Sequence, residues 1–460
     1  MIRRFIIALV IAFLLDHNAH AHNCADVGSI ASKTCTASGS KADTLAAVNY
    51  IQGRAESGWV LTTGTNGESY DWFGLTLTIN HPMTLRGGAG GVGPTIAFTS
   101  GDGSVGIQIN CAPNTVLTLD HFNLPAGGRP GNLVNPAAII WSGSGEVIRL
   151  TNMTVAGQWT DVFWLWLATE FSTGGEGPFG VFDNSTVYGY PAMFIRQNQD
   201  SPDAKWTNAS TPSFGTRKAF FIEDVVGHGE NGDGTYGANA PSFICDGNHA
   251  GRVVVRHSTL NNMGVAWHGR DSDSRADNCL HGFLMGEIYN VTFNISRTMD
   301  TLIMIRSGTA WVLDNTLNLI GSGSLNNGIQ LQVHCADASN ILAGEFCRNA
   351  DEDCSFMTEP LTVEDRPDQQ QPGFPYPIRT RNNSNADAIN NHLCGNAYIP
   401  GCTPADGWAI GSTDLTFAGV DYINGSADAY TKFTYPHPLV SGAEPEPTPT
   451  PPPLILFLTP

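Results

Sequence analysis

A chain of 460 residues has room for two or three ordinary domains, but its net charge of −19 removes nucleic acid from the natural partners. With 51 glycines and only 14% charged residues, the composition disfavours helical bundles and favours short strands joined by turns. An acidic ligand would need a local basic cluster or a bridging cation on such a chain.

The opening MIRRFIIALVIAFLLDHNAHA reads as a signal peptide over residues 1–21. Arg3 and Arg4 supply the positive end, Phe5 to Leu15 the apolar run, and Ala19-His20-Ala21 a small-x-small cleavage site. The run is too short to span a bilayer, so export is expected, with no membrane span after cleavage. Ten cysteines in an exported chain suggest disulfides, and Cys24/Cys35, Cys347/Cys354 and Cys394/Cys402 lie close enough to close short loops. No CxxC spacing occurs, which argues against structural zinc.

Residues 22–60 read as an N-terminal cap. In it, SKADTLAAVNYIQGRA starts a helix at Ser40-x-x-Asp43, with Leu45, Val48, Ile51 and Ala55 on one face. LTLTINHPMTLRGGAG (75–90) follows as two strands around a proline-marked turn and a glycine run.

A short phrase then recurs: LDHFNL, LTNMTV, FDNSTV, IEDVVG, VRHSTL, IYNVTF and LDNTLN. Its third position falls at His121, Asn152, Asn184, Asp224, His257, Asn290 and Asn315. The copies lie about 25 to 40 residues apart, as expected of a coil of fixed core with loops of varying length. No amphipathic helix separates them, so βαβ units are disfavoured. Stacked coils would bury each other's apolar residues, stack Asn-type side chains at the corners and leave an end for the 40–55 helix to plug. At the other extremity, 441–460 contains EPEPTPTPPP, an extended proline-rich linker or tail.

The helix, LTLTINHPMTLRGGAG and the Asn-x-Thr coils resemble the right-handed parallel β-helix proteins of the pectate-lyase-like superfamily. DGNHAGRVVVRHSTLNN, WHGRDSDSR, GEIYNVTF and IRSGTAWVLDNTL are similar to segments of a group of secreted bacterial members, and YTKFTYPHPLV (430–440) to that group's domain end. The resemblance implies an all-β, right-handed parallel β-helix over 22–440. It leaves activity open, since the superfamily includes lyases, hydrolases, esterases, epimerases and adhesive spikes.

Five apolar runs end on an ionisable residue: AMFIR at Arg196, SFICD at Asp246, VAWH at His268, LIMIR at Arg306 and LQVH at His334. Coils stack about 4.8 Å apart, so Arg196, Asp246, His268 and Arg306 are expected to form a column on one face. Asp246 between Arg196 and His268 would be held ionised and would favour the imidazolium. The loops after Arg196 and His268 would wall a groove, with Trp206 and Arg270 on the sugar and Arg275 or Arg252 completing the subsite. Trp267 is expected in the core, and His257, aligned with Asn290, at a structural corner. Asp271, Asp273 and Asp277 have the alternate carboxylates of a Ca²⁺ loop without the EF-hand glycine and terminal Glu. GHGENGDG holds a Gly-His-Gly like that of polygalacturonase-type hydrolases, without the paired aspartates that should precede it. The Arg-x-Pro-x-x-Arg and Trp-Ile-Asp-His motifs of plant-type pectate lyases are absent.

The expected function is therefore an exported polysaccharide lyase acting as a monomer on an acidic glycan, with Ca²⁺ as the candidate cofactor. The alternatives are a glycoside hydrolase using Asp246 with Asp271 or Asp273, and a glycan-binding adhesin or surface spike tethered by its proline-rich tail.

Overall fold

The computed structural model describes residues 23–24, 33–54, 56–88, 93–97, 106–124, 139–156, 164–168, 178–189, 193–197, 213–230, 243–248, 252–267, 285–305, 309–333, 378–381, 395–397, 422–424 and 430–442. Their strands form three parallel sheets of twelve, ten and nine strands. From Trp59 to Val333 each coil gives one strand to each sheet in turn. Arg252–Arg256 joins the twelve-stranded sheet, Thr259–Asn261 the nine-stranded and Gly264–Trp267 the ten-stranded. The next coil lies on it in parallel register, Val255 on Ile288, Leu260 on Phe293 and Trp267 on Ile305. The fold is the right-handed parallel β-helix expected from the sequence.

Alternation explains why these short runs are strands. Val253, Val255, Leu260, Val265 and Trp267 point inward and belong to one continuous buried core, which stacked coils extend along the axis. The corner residue bends the chain between the twelve- and nine-stranded sheets. His121, Asn152, Asn184, Asp224, His257 and Asn290 all take positive φ there, at 48° to 69°. A side chain in this conformation is costly unless it bonds locally, which is why Asn and Asp dominate. Asn152 Nδ2 donates to Asp120 Oδ1 (2.7 Å) and Asn184 Nδ2 to Asn152 Oδ1 (2.5 Å). Asn290 Nδ2 and His257 Nε2 are 3.2 Å apart, which places His257 at a structural corner.

The last copy is out of phase. Asp314, with φ 55°, turns the corner, and Asn315 is buried behind it. LDNTLN lacks the small residue that precedes Thr in FDNSTV. Asn315 therefore takes the place of Ser185, accepting from Val291 N (3.0 Å) as Ser185 accepts from Met153 N (2.9 Å).

The helix Lys41–Gln52 is capped by Ser40, whose Oγ accepts from Asp43 N (3.3 Å). Ala47, Val48 and Ile51 join the core, while Leu45 is only partly buried because the helix is rotated toward Asp43 and Thr44. It lies against the strands Thr34–Ala37, Trp59–Thr63 and Leu75–Ile79. Beside it Cys24 and Cys35 form a disulfide across a sequence separation of 11. Replacing both by Ser should lower stability by about 2–3 kcal/mol, read as a fall in the urea midpoint, since loop-closure entropy returns to the unfolded chain. The other two cysteine pairs, the signal segment 1–21 and the tail beyond 442 lie outside the described residues.

Candidate functional site

The ten-stranded sheet carries the strands on which the predicted column depends. Met193–Gln197 lies between Trp164–Ala168 and Phe243–Asn248, followed by Gly264–Trp267 and then Thr298–Ile305. Arg196 pairs with Trp166 on one side and with Asn248 on the other. Asp246 pairs instead with Phe194 and Ala266. The residue at the level of Arg196 is thus Asn248, and Asp246 sits two residues, about 7 Å, earlier along its strand. Two local features account for the difference. The strand continues past Asp246 to Asn248, and its register shifts between Phe243 and Asp246.

Trp267 pairs with Gly247 and Ile305, and Ile305 in turn with Leu331. Trp267 is 1% exposed and packs in the core, as its sequence context implied. The indole fills the space over Gly286, where a Cβ would overlap its ring carbons. Gly286→Ala should therefore cost about 1–3 kcal/mol by overpacking. A melting temperature unchanged to within a degree would contradict this packing. His268, Arg270, Asp271, Asp273, Arg275, Asp277, Arg306, His334 and Trp206 lie outside the described residues.

Arg252 does not belong with them. It opens the strand Arg252–Arg256 of the twelve-stranded sheet, opposite Met285, and so lies on a different side of the coil from Arg196. Its short distance in sequence from His268 is spent in passing through the nine-stranded sheet. Among the described residues no group of three or more His, Cys, Asp or Glu is placed to hold a metal ion.

A second ionisable cluster was not recognised from the sequence. It lies on the outer face of the twelve-stranded sheet, under a strap formed by residues 430–442. Arg256 Nε donates to Glu223 Oε2 (2.7 Å), Nη1 to Tyr289 Oη and Phe433 O (2.9 Å each), and Nη2 to Thr434 O (2.9 Å). Glu223 also accepts from His437 N (2.8 Å). Glu287 accepts from Tyr430 Oη and from Gly215 N (2.9 Å), tying the 213–219 segment to the same layer. Lys432 reaches Asp314 (2.6 Å), and Tyr435 donates to Asp224 (2.7 Å) while stacking on His257. Arg256, Glu223 and His437 are 0% exposed. A substrate cannot reach groups sealed in this way, so the cluster is internal and holds the strap.

Burial moves two of these groups in opposite senses. Desolvation pushes the Glu287 carboxyl up to about 7 and the His437 imidazole down to about 3, so that each favours its neutral form. For Glu287 the folded value lies above the ordinary 4.5. Its stabilisation is complete below that value and lost as pH rises toward 7. For His437 the folded value lies below 6.5, so its contribution is complete above 6.5 and lost as pH falls toward 3. The two slopes oppose each other in mildly acidic solution. Glu287→Gln removes the first, and the stability difference between parent and variant should shrink as pH rises from 4.5 to 7. Urea midpoints taken at intervals across that range would show it; a constant difference would contradict it.

No protein-family model matches the chain, and no curated protein matches it. Among solved structures it is similar to the crystal structure of an alginate lyase from Paenibacillus sp. str. FPU-7. The identity is 13% and the TM-score 0.31, over 64% of this chain and 97% of that one.

Proposed function

We propose that the protein is a secreted polysaccharide lyase that cleaves an acidic, uronate-containing glycan by β-elimination. One observation supports the reading above others. The strand carrying Arg196 and the strands ending at Trp267 and Ile305, directly before His268 and Arg306, lie in one sheet within a few coils of each other. In a chain with only 23 Lys and Arg, the proposed site draws its basic residues from chain segments that adjoin one sheet.

Elimination requires neutralisation of the uronate carboxylate, a base for the C5 proton and an acid for the leaving oxygen. Arg196 and Arg306 neutralise the carboxylate and so acidify that proton. His268 takes the C5 proton as the C4–O bond breaks and a C4–C5 double bond forms, and the imidazolium so formed returns that proton to the leaving oxygen. Asn248, at the level given to Asp246 in the sequence reading, is an amide. It fixes the tautomer of a neighbouring imidazole without stabilising its charged form, which suits a base that must start neutral. Arg275 completes the subsite, with Arg270 and Trp206 on flanking sugars. Bound Ca²⁺ would add charge neutralisation, and Asp271, Asp273 and Asp277 are the residues that would hold it.

The mature protein, incubated with uronate and neutral polysaccharides with and without chelator, tests the proposal. New reducing ends accompanied by ultraviolet absorbance of unsaturated products are expected on a uronate polymer. Ends without that absorbance would mean hydrolysis, and binding without ends would mean an adhesin.

A further inference from the structure

The chain leaves the ten-stranded sheet after Met193–Gln197 and next joins the twelve-stranded sheet at Phe220–Glu223. Its last residues before that strand, 213–219, do not enter it directly. Gly215 N donates to Glu287 Oε1 (2.9 Å), and Phe214 stacks on Trp311 with ring centroids 4.8 Å apart and planes 24° apart. The register runs from Phe221 to Val254, then to Glu287 and to Trp311. The segment therefore reaches two and three strands past its own, about 10 and 14 Å along the axis, before returning to Phe220.

The strap holds it there. Glu287 accepts from Gly215 N through one carboxylate oxygen and from Tyr430 Oη through the other. Trp311 likewise carries both Phe214 and Tyr430, the latter edge-on with its centroid 4.1 Å away. Glu146 lies 3.7 Å from Arg217 of the segment and 3.7 Å from His437 of the strap. At Gly215, a φ of 68° and the closeness of Thr431 O leave no room for a Cβ. Three sheet residues thus each touch the segment and the strap together, so loosening one unpacks the other.

The place of these anchors matters. Met285–Tyr289, which carries Glu287, is the strand that follows His268. Thr309–Leu313, which carries Trp311, is the strand that follows Arg306. The chain thus departs beside Arg196 and is fastened on the strands next after the other two residues of the proposed site. We propose that Glu287, Trp311 and Tyr430 are positioning residues for the substrate. They fix the far end of the stretch that contains Trp206, and so hold that indole to the sugars flanking Arg196, His268 and Arg306. The substrate in this proposal rests on the lyase reading, whereas the anchor rests on packing alone. A stretch fastened at both ends has less freedom to lose when a sugar binds. None of the three residues belongs to the reacting group, so their effect falls on affinity and not on proton transfer.

Limited trypsin digestion of the full chain tests the anchor, because Lys205 directly precedes Trp206 and cleavage there is identified by fragment mass. Phe214→Ala removes the segment's ring from Trp311, and Tyr430→Phe removes the strap's hydroxyl from Glu287. Each should speed cleavage after Lys205 roughly tenfold, by raising the population in which the stretch is released. Phe214→Tyr keeps a ring on Trp311 and should restore protection. Tyr435→Phe loses only the bond to Asp224 elsewhere on the strap and should leave cleavage unchanged. On polygalacturonate, followed by unsaturated product, Phe214→Ala and Tyr430→Phe should raise KM about tenfold and leave kcat within about twofold. Partial unfolding would instead lower apparent kcat at constant KM, so the split separates positioning from stability. Unchanged cleavage after Lys205 in both variants would overturn the anchor. Faster cleavage with an unchanged KM would overturn its service to the substrate. A parent chain that yields no unsaturated product would count against the lyase reading, with the anchor still decided by Lys205.

Discussion

Arg256→Ala is expected to destabilise the protein by about 3–5 kcal/mol, the cost of breaking a buried ion pair on one side only. The guanidinium is 0% exposed and each of its nitrogens has a partner. Removing it leaves the Glu223 carboxylate buried with the His437 N–H (2.8 Å), and leaves the carbonyls of Phe433 and Thr434 without their donor. The packing loss adds to this, since the guanidinium lies 4.6 Å from the centroid of Phe221 and 5.5 Å from that of Tyr435. Arg256→Met combined with Glu223→Gln removes both charges and should recover a substantial part of the loss. The observables are the urea midpoint and the protease sensitivity of the strap at 430–442. A cost below about 1 kcal/mol, or a strap no easier to cleave, would show that the ion pair does not hold it.

His268→Ala should lower lyase turnover on a uronate polymer by about 10²- to 10⁴-fold, the usual contribution of a positioned base. Arg306→Ala and Arg196→Ala should fall in the same direction, through lost neutralisation of the carboxylate. The corrected register makes the series discriminating. Asn248→Ala should now cost more activity than Asp246→Ala, the reverse of what the sequence alignment implied. Arg252→Ala should leave turnover per folded molecule unchanged, because Arg252 belongs to another sheet. Unsaturated product read at matched concentrations of folded protein would decide each case. Full activity in His268→Ala would remove that residue from the mechanism.

The repeat was legible because it has a backbone cause. A left-handed corner admits few side chains, so Asn, Asp and His at that position announce the coil directly, and six of the seven corners were located to the residue. The seventh was missed by one place because Asp and Asn are equally suited to the corner; the positive φ of Asp314 and the bond from Val291 N to Asn315 distinguish them. The register of Phe243–Asn248 was not legible for a related reason. Asp246 looks like a strand end, and an irregularity in pairing leaves no mark in composition. The Arg256 cluster was hidden differently. RVVVRHSTL and YTKFTYPHPLV were both singled out, yet nothing in either stretch says that the Arg of the first satisfies carbonyls of the second. Outward-facing charges read as solvent-exposed until a distant segment covers them.

That distance also bears on the order in which the chain is assembled. A solenoid is built from neighbours, so each coil can form as soon as it and the one before it exist. The bond from Arg256 to Thr434 spans 178 positions, and that from Glu223 to His437 spans 214. Contacts of such separation are slow to close. The central coils can stack early, but Arg256 and Glu223 stay hydrated until residues 433–437 have been made. Synthesis therefore passes the middle coils with this contact still to be made, and a chain stopped before residue 430 would leave their outer layer uncovered.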